Sequence, residues 1–213
     1  MIKKEAGTLD LKGKGMLVVL SGPSGSGKDT VLDKLKKTDF SFDKTISATT
    51  RDVRDGERDG VDYYFIDKNT FEERIKNQEF LEYTVYNDNY YGTPKSEVER
   101  LVDKGGCILL KIEVEGAGNV RKLMPEALSI FIIPPSLEEL ERRLRGRGTE
   151  TEESFQRRFE IAKDELSRAN EYDYIVINDD INLCAEQIVK ILESEQLRYC
   201  RMGSFVEDML KNQ

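Results

Sequence analysis

Short apolar runs, separated by longer stretches with a helical period, dominate the hydrophobic pattern of the chain. The runs at 16–21, 107–112, 128–133 and 174–177 are continuous rather than alternating. Continuous apolar runs of this length are typical of strands in a parallel sheet that is covered on both faces. A weaker run at 44–48 is a fifth candidate. The pattern therefore predicts a central parallel sheet.

Apolar side chains at helical spacing occupy three segments of the C-terminal half, at about 137–144, 155–169 and 181–192. Ser136 and Glu139 have the spacing of a capping box, which predicts that the first of these helices begins there. Because strands alternate with helices, we expect an α/β fold of three layers with right-handed crossovers.

Two segments interrupt this alternation. Residues from about 47 to 100 lack a long buried strand and show half-buried stretches with two short helix candidates, which predicts a small mixed α/β lobe inserted into the parent sheet. The segment at about 145–155 is rich in glycine and charge and is a candidate for a short mobile lid. The predicted division is a domain at 15–197, with its core at 15–46 and 105–197, followed by a tail at 198–213. The part of the tail after Gly203 is long enough for a short helix.

Length and charge narrow the class of protein. A chain of 213 residues supports one good core, and a net charge of −8 argues against nucleic-acid binding, which requires a positive face. No apolar run approaches the roughly 20 residues needed to span a bilayer, and residues 1–14 show no secretory signal. With three widely spaced cysteines expected to be reduced thiols, we predict a cytoplasmic monomer or homodimer that binds neither nucleic acid nor membrane.

The chain contains no histidine. This excludes catalytic triads, metal sites and general bases that depend on imidazole. Any catalysis must use lysine, arginine, carboxylates, tyrosine or a metal ion.

The clearest motif, GPSGSGKDT, lies directly after the first predicted strand and before a helix. Its glycines let the backbone turn tightly with several N–H groups converging, and the helix adds its positive N-terminal end. Lys28 would bring a full positive charge to the β- and γ-phosphates. The motif predicts a nucleoside triphosphate site formed by Gly22, Pro23, Ser24, Gly25, Ser26, Gly27, Lys28, Asp29 and Thr30.

One position departs from the usual form of this motif. Asp29 follows the lysine where a serine or threonine that binds Mg²⁺ is usual, and the hydroxyl comes one place later, in Thr30. Either the ion is held mainly by phosphate oxygens and water, or Asp29 helps to hold the hydrated ion, or Asp29 stabilises the first helical turn. We therefore expect Mg²⁺ to accompany the nucleotide and assign it no protein ligand.

A second candidate anion site follows the weak strand. Arg51 and Arg54 lie three residues apart, with a threonine pair before them and tyrosines after. The planar fork of arginine matches phosphate oxygens in pairs, and tyrosine hydroxyls add neutral donors. The pattern predicts a cradle for a phosphate monoester.

This stretch also carries a family resemblance. The pattern S-x-T-T-R-x-x-R-x-G-E-x-x-G-x-x-Y, from 47 to 63, resembles the signature of guanylate kinases, and so do NQEFLEY, NYYGTP, GRGTETEE and VINDD further along the chain. The resemblance covers about 14–195, and it implies a P-loop kinase that transfers the γ-phosphoryl group of ATP to GMP or dGMP with Mg²⁺ as cofactor. The lobe at about 47–100 would then bind GMP.

Carried onto the matching positions, the resemblance implies roles for the residues of that lobe. One carboxylate can accept both the N1–H and the N2–H₂ donors of guanine, so Glu82 would favour GMP over AMP. On the residues alone, Glu82 is interpreted as a solvated strand residue. Thr93 has a second interpretation as the N-cap of a helix at 94–104, a role that it could combine with guanine binding. The phosphate of GMP would be held by Arg51, Arg54, Tyr63 and Tyr91, and its guanine by Ser47, Glu82 and Thr93.

The lid is implied to supply the remaining catalytic charges. Arg143, Arg147 and Arg158 would contact the transferred phosphoryl group together with Lys28 and Arg51, whereas a charge run of this kind is otherwise a solvated helix face. No general base is needed, because the phosphate of GMP has a second pKa near ~6 and is the nucleophile itself. Asn178 would contact the adenine of ATP, with a cap or turn residue as the equal alternative.

Lys111 departs from the resemblance, which implies an acidic residue near the phosphates at the end of that strand. Glu113 and Glu115 follow closely and would supply the negative charge, with Lys111 paired to one of them. The alternative is a weakened metal site and a slower enzyme.

Two other functions fit parts of the pattern. A guanylate-kinase-like binding module of a scaffold would grip peptides through the same lobe, but such modules typically lose the phosphate loop that is intact here. A P-loop kinase of another phosphorylated small molecule would lack the guanine-reading set of which Glu82 is part.

Overall fold

A computed structural model of the protein describes residues 15–86, 88–146 and 151–211, which form two sheets with helices packed around them. The strands are β1 (Met16–Ser21), β2 (Asp43–Lys44), β3 (Ala48–Thr49), β4 (Tyr64–Phe65), β5 (Phe80–Tyr86), β6 (Asn89–Pro94), β7 (Cys107–Lys111), β8 (Leu128–Ile133) and β9 (Tyr174–Ile177). The helices are α1 (Lys28–Leu35), α2 (Lys68–Lys76), α3 (Lys95–Asp103), α4 (Val114–Leu123), α5 (Leu137–Arg145), α6 (Glu152–Ser167), α7 (Ile181–Gln196) and α8 (Tyr199–Lys211).

The larger sheet is parallel and has the strand order β2-β7-β1-β8-β9. Its central strand, β1, is buried along its whole length. Val18 and Leu20 face a core that includes α1 and α7, whereas Leu17 and Val19 face a second core that includes α3 and α4. Both faces of the sheet are covered, so the predicted three-layer α/β fold is confirmed.

The predicted strand at 44–48 is wrong as a single element. Asp43–Lys44 joins the larger sheet beside β7, whereas Ala48–Thr49 joins the smaller sheet beside β6. The chain leaves one sheet for the other within this short stretch, and one extended segment cannot pair with both. Thr45 is buried at the crossing.

The smaller sheet is mixed, with the order β4-β3-β6-β5, and it belongs to the interruption predicted between the core strands. The ring of Phe71 stacks between those of Phe80 and Tyr90, with centroid distances of 4.2 and 4.9 Å. Gly92 lies against this stack, where a Cβ atom would approach the Phe71 ring to 2.9 Å. The lobe therefore has an aromatic core of its own.

The predicted start of α5 is confirmed in one half of the capping box. The Ser136 hydroxyl accepts a hydrogen bond from the Glu139 backbone N–H at 3.2 Å. The Glu139 carboxylate instead accepts from the guanidinium groups of Arg142 and Arg143. Leu137, predicted on the apolar face of this helix, is 46% exposed.

The tail forms a helix, as its length allowed, but α8 begins before the glycine at 203 rather than after it. Tyr199, Phe205, Met209 and Leu210 are exposed on it. Across the described ranges, no helix has both the length and the apolar composition that a bilayer crossing needs.

Candidate functional site

The loop at 22–27 connects the end of β1 to the start of α1 and depends on glycine where the backbone approaches its neighbours. Gly22 has a φ of 152° and a Cβ atom there would lie 2.1 Å from the Ile132 carbonyl oxygen. Gly27 caps α1 with a φ of 88°, and a Cβ atom there would lie 2.4 Å from Asn178 Nδ2. The motif glycines therefore serve the tight loop and its close contact with β8 and with the residue after β9.

Lys28 is the first residue of α1, and its side chain folds back over the loop. Only 7% of Lys28 is exposed. Its Nζ donates to the carbonyl oxygens of Gly22 at 2.6 Å and Pro23 at 3.3 Å, and to Glu113 Oε2 at 3.1 Å. These acceptors hold the Lys28 ammonium at the centre of the loop, and the loop has the glycine-rich pattern that is typical of phosphate binding.

Asn178 contacts this loop from the end of β9. Its Nδ2 donates to the Ser26 carbonyl oxygen at 2.7 Å, and the residue is buried. The alternative that Asn178 caps the last core helix is wrong, because the side chain of Asp180 accepts from the first N–H groups of α7.

Two arginines, one on α5 and one on α6, reach the loop. Arg143 Nη1 donates to the Ser26 carbonyl oxygen at 3.4 Å, and Nη2 donates to the Asn178 carbonyl oxygen at 2.8 Å. Arg158 Nη2 donates to Ser24 Oγ at 3.1 Å. The structure thus brings two of the three arginines predicted for phosphoryl transfer to the loop, whereas Arg147 lies outside the described residues.

The other described arginines of α5 and α6 are exposed or pair with neighbouring residues. Arg142 is exposed and pairs with Glu139, and Arg157 is also exposed. The Arg145 guanidinium packs 3.7 Å from the centroid of the Phe155 ring and pairs with Glu141 and Glu152, which ties α5 to α6. The positive patch predicted around the lid is therefore partly neutralised by neighbouring carboxylates.

Glu165 is a contact of the loop that the sequence analysis missed. Its carboxylate accepts a hydrogen bond from the Ser24 backbone N–H at 3.2 Å. Burial raises the pKa of this carboxyl, and the Ser24 bond partly opposes that rise. A glutamate on a long amphipathic helix gives no sign in the sequence that it turns inward toward a loop 141 positions away.

Arg51 lies in the small lobe and is held from two directions. Its guanidinium donates to both carboxylate oxygens of Glu57, at 2.8 and 2.6 Å. Its centre lies 5.3 Å from the ring centroid of Tyr63 and 5.6 Å from that of Phe65. The hydrogen bonds from Arg51, and then the one from the Arg54 N–H, lower the pKa of Glu57 to about 2. Glu57 is part of the motif, but its role as the partner of Arg51 was not predicted.

The other predicted phosphate ligands surround Arg51. Arg54 is exposed, and its backbone N–H donates to Glu57 Oε2 at 2.9 Å. The rings of Tyr63 and Tyr91 meet edge to face, with centroids 6.1 Å apart. Tyr91 helps to raise the pKa of Arg51, after the larger effect of Glu57. These contacts form a cluster of the Arg51 guanidinium and two phenols, with Arg54 joined to it through its backbone N–H.

Glu82 lies on β5 with its carboxylate buried. Thr93 Oγ1, from the paired strand β6, donates to Glu82 Oε1 at 2.7 Å. Burial raises the pKa of Glu82, the Thr93 bond lowers it, and the negative charge of Glu113 raises it further. The alternative of a solvated strand residue is wrong, and so is the alternative that Thr93 caps the next helix, since the N-cap of α3 is Pro94.

A glycine of α4 borders this carboxylate. Gly116, in α4, comes so close that a Cβ atom would lie 2.8 Å from Glu82 Oε2, a role that sequence analysis missed. A glycine near the start of a helix, where a turn is not needed, is the signal that could have found it. Ser47, predicted to read the same ligand, is half-buried just before β3, and its carbonyl oxygen accepts from the Tyr64 N–H at 2.9 Å.

The expectation that Lys111 pairs with Glu113 or Glu115 is wrong. Its ammonium pairs instead with Asp29, across the loop. Strand β7 ends at Lys111, so Glu113 leaves the strand, becomes the N-cap of α4 and pairs with Lys28. The four charges therefore form two crossed pairs at the phosphate loop.

These pairs decide whether the protein could hold a magnesium ion by itself. The two carboxylates nearest Lys28 and Lys111, those of Glu113 and Asp29, each already accept from an ammonium group. Within 15–86, 88–146 and 151–211, no group of three or more potential metal ligands occurs. The donor set does not fit a magnesium site made by protein ligands.

Comparison with known proteins decides which P-loop fold this is. The family model for guanylate kinase matches residues 14–195.

The chain belongs to the guanylate kinase family. The guanylate kinase of Clostridioides difficile (strain 630) is 44% identical over 200 residues, which cover 94% of this chain and 98% of that protein. The guanylate kinase of Streptococcus agalactiae serotype III (strain NEM316) is 47% identical over 199 residues, covering 93% and 95%. The crystal structure of guanylate kinase from Anaplasma phagocytophilum superimposes with a TM-score of 0.70 at 38% identity, covering 90% and 91% of the two chains. Because the chain belongs to this family, the alternative of a P-loop kinase that acts on another phosphorylated small molecule no longer applies.

Proposed function

We propose that this protein transfers the γ-phosphoryl group of ATP to GMP, and to dGMP, giving ADP and GDP in purine nucleotide metabolism. The observation that carries the proposal is the buried carboxylate of Glu82 beside Thr93. A carboxylate that burial disfavours gains most from a ligand with two adjacent N–H donors, and the Watson–Crick edge of guanine has such a pair. Ser47 completes the proposed guanine set.

The donor site is proposed at the phosphate loop, 22–30. Its backbone N–H groups and the ammonium of Lys28 would hold the β- and γ-phosphates of ATP. Asn178, which fixes the Ser26 carbonyl, would border the adenine. An intact loop around Lys28 supports turnover rather than the peptide-binding alternative.

The acceptor phosphate is proposed to bind Arg51, Arg54, Tyr63 and Tyr91. Glu57 and the rings of Tyr63 and Phe65 hold the Arg51 fork in place before any ligand arrives. The phosphate is already an anionic nucleophile, so the protein supplies no general base. Its side chains would align the phosphate of GMP with the γ-phosphate of ATP and neutralise the negative charge of both.

The lid is proposed to complete the catalytic set. Arg143 and Arg158 already contact the loop, at Ser26 and Ser24. Together with Arg147 they would bind the transferred phosphoryl group and exclude water. We propose the domain limits given above, with the lid at about 145–155 between α5 and α6.

Mg²⁺ is proposed to enter with ATP, held by phosphate oxygens and water, and when bound it would neutralise charge on the polyphosphate. Three free thiols fit a reducing, cytoplasmic location. We keep monomer or homodimer as the proposed assembly and propose no nucleic-acid or membrane partner.

The proposal is tested by steady-state kinetics with GMP, dGMP, AMP and UMP as acceptors and ATP as donor. We expect efficient transfer to GMP and dGMP, and a kcat/KM for AMP lower by about 10³-fold or more, because adenine lacks the donor pair. Equal rates with AMP and GMP would contradict the guanine site. If none of the four acceptors is phosphorylated, the result would favour the binding-module alternative.

Thr93→Val is expected to raise the Kd for GMP by about tenfold, because the valine cannot donate to Glu82. The Thr93 bond also lowers the pKa of Glu82, so its loss lets that pKa rise further. GMP binding requires the ionised carboxylate and falls as the pH drops through this pKa, so the variant loses GMP at a higher pH than the wild type. Calorimetric titrations from pH 5 to 8 measure the difference. The matched control is Thr84→Val on β5, and equal pH dependence in Thr93→Val and wild type would contradict the role.

A further inference from the structure

Two positions that depart from the usual pattern contact each other. Asp29 stands where a hydroxyl that binds Mg²⁺ usually follows the loop lysine, and Lys111 ends β7. The Lys111 ammonium donates to Asp29 Oδ1, although 82 positions separate the two residues. The Asp29 side chain is 74% exposed and that of Lys111 34%. The pair therefore lies on the open side of the loop rather than in the core.

The register of the sheet places this pair beside the loop lysine. Leu20, near the end of β1, pairs with Lys111 on β7, and β1 continues directly into the loop. Glu113, two residues after Lys111, accepts from Lys28 Nζ. Each lysine thus pairs with one carboxylate next to the loop, and Lys111, Asp29, Lys28 and Glu113 form a four-charge cluster.

The cluster changes how the loop meets a triphosphate. A serine or threonine after the lysine is neutral, and the metal ion that it binds adds positive charge. Asp29 instead adds a negative charge next to Lys28, which repels a polyphosphate unless a cation lies beside it. Lys111 is that cation, and it belongs to the chain.

We propose that Lys111 is a further nucleotide-binding residue, whose ammonium contacts a phosphate oxygen of ATP and supplies part of the positive charge that a metal ion supplies in loops with a hydroxyl after the lysine. The inference rests on the proposed function, because it assumes that ATP binds at 22–30. Asp29 is the counter-ion that holds the ammonium beside the loop before the nucleotide arrives. ATP binding is then less dependent on Mg²⁺ than in a loop without Lys111.

The test is calorimetric titration of ATP, without acceptor, in Mg²⁺ and in excess EDTA. Lys111→Met is expected to weaken ATP binding in EDTA by about tenfold or more, through the lost contact and the unneutralised Asp29. In Mg²⁺ the loss is expected to be several-fold smaller, because the metal neutralises the same charge. Adding Asp29→Ser to Lys111→Met is expected to recover part of the loss in EDTA, so that the two substitutions are not additive.

Lys36→Met is the matched control, since Lys36 is an exposed lysine at the end of α1 that pairs with Asp33 at 2.7 Å. It is expected to bind ATP as the wild type does in both buffers, and thermal unfolding establishes that every variant is folded. An unchanged affinity of Lys111→Met in EDTA, or an equal loss with and without Mg²⁺, would overturn the inference. Lys28→Ala separates the two proposals. If Lys28→Ala binds ATP as the wild type does, the proposed donor site is wrong. If Lys28→Ala loses ATP affinity while Lys111→Met keeps it, only the role of Lys111 is wrong.

Discussion

Lys28→Ala is expected to lower kcat for transfer from ATP to GMP on the order of 10³-fold, while the protein stays folded. Lys28 is the buried cation at the centre of the phosphate loop, and its charge is needed most when negative charge develops between the β- and γ-phosphates. Truncation leaves the buried Gly22 carbonyl without this donor, whereas the exposed carboxylate of Glu113 stays in contact with water, so we expect a loss of stability of about 1–3 kcal/mol. A coupled assay of ADP formation and a thermal unfolding curve measure the two effects.

The matched control for this variant is Lys37→Ala, an exposed lysine just after α1. We expect wild-type turnover from it. Turnover within tenfold of wild type in Lys28→Ala would contradict the role assigned to the loop lysine. Loss of turnover together with loss of the folded state would instead mean that Lys28 supports the loop structurally, and ATP titration of the related Lys28→Met variant would then separate the two roles.

Glu82→Gln is expected to raise the KM for GMP by about 100-fold while the affinity for ATP stays the same. The amide keeps one acceptor but turns a donor toward the N–H pair of guanine, which leaves buried polar groups unpaired. Separate titrations with GMP and ATP measure the two affinities. Glu79→Gln, an exposed glutamate of the same lobe that pairs with Arg74, is the matched control.

The same substitution is expected to stabilise the ligand-free protein at neutral pH. Burial raises the pKa of Glu82, so the folded protein binds this proton more tightly than the unfolded chain does. Stability from this group is therefore present at low pH and is lost as the pH rises through the folded pKa. The Tm of Glu82→Gln should exceed that of the wild type at pH 7, and the difference should shrink as the pH falls through the raised folded pKa and be largely gone at about pH 4, where the unfolded chain is protonated too. A lower Tm for Glu82→Gln than for the wild type at pH 7 would show that the ionised carboxylate of Glu82 does not destabilise the ligand-free protein.

The parts of the fold that the sequence predicted are those with local causes. The strands at 16–21, 128–133 and 174–177 were predicted with their observed bounds from their continuous apolar runs. The first two are buried on both faces, whereas the third lies at the sheet edge with Ile175 and Ile177 exposed. The loop at 22–30 was equally clear, since glycine spacing and the flanking elements specify its backbone. The proposed phosphate cradle of Arg51, Arg54 and the tyrosines was predicted from residue types alone. The proposed guanine ligands required the family resemblance, because nothing local marks Glu82 as buried.

The failures share a long-range cause. The pairing of Lys111 with Asp29 depends on β7 lying next to β1, which no local pattern encodes. Threonine is a residue type typical of helix N-caps, but the Thr93 hydroxyl donates instead to the Glu82 carboxylate on the neighbouring strand. The stretch at 44–48 was predicted as one strand because the division of the chain between two sheets is a tertiary event.

The bond between Glu57 and Arg51 has a consequence for inhibitor design. A compound that extends from a guanine-like ring toward Arg51 meets a guanidinium that already donates two short hydrogen bonds to Glu57. It must bind through the N–H groups that Glu57 leaves available, so a singly charged carboxylate on the compound gains little potency. A dianionic or tridentate group, which also engages Arg54 and the phenols of Tyr63 and Tyr91, would use more donors at once without displacing Glu57.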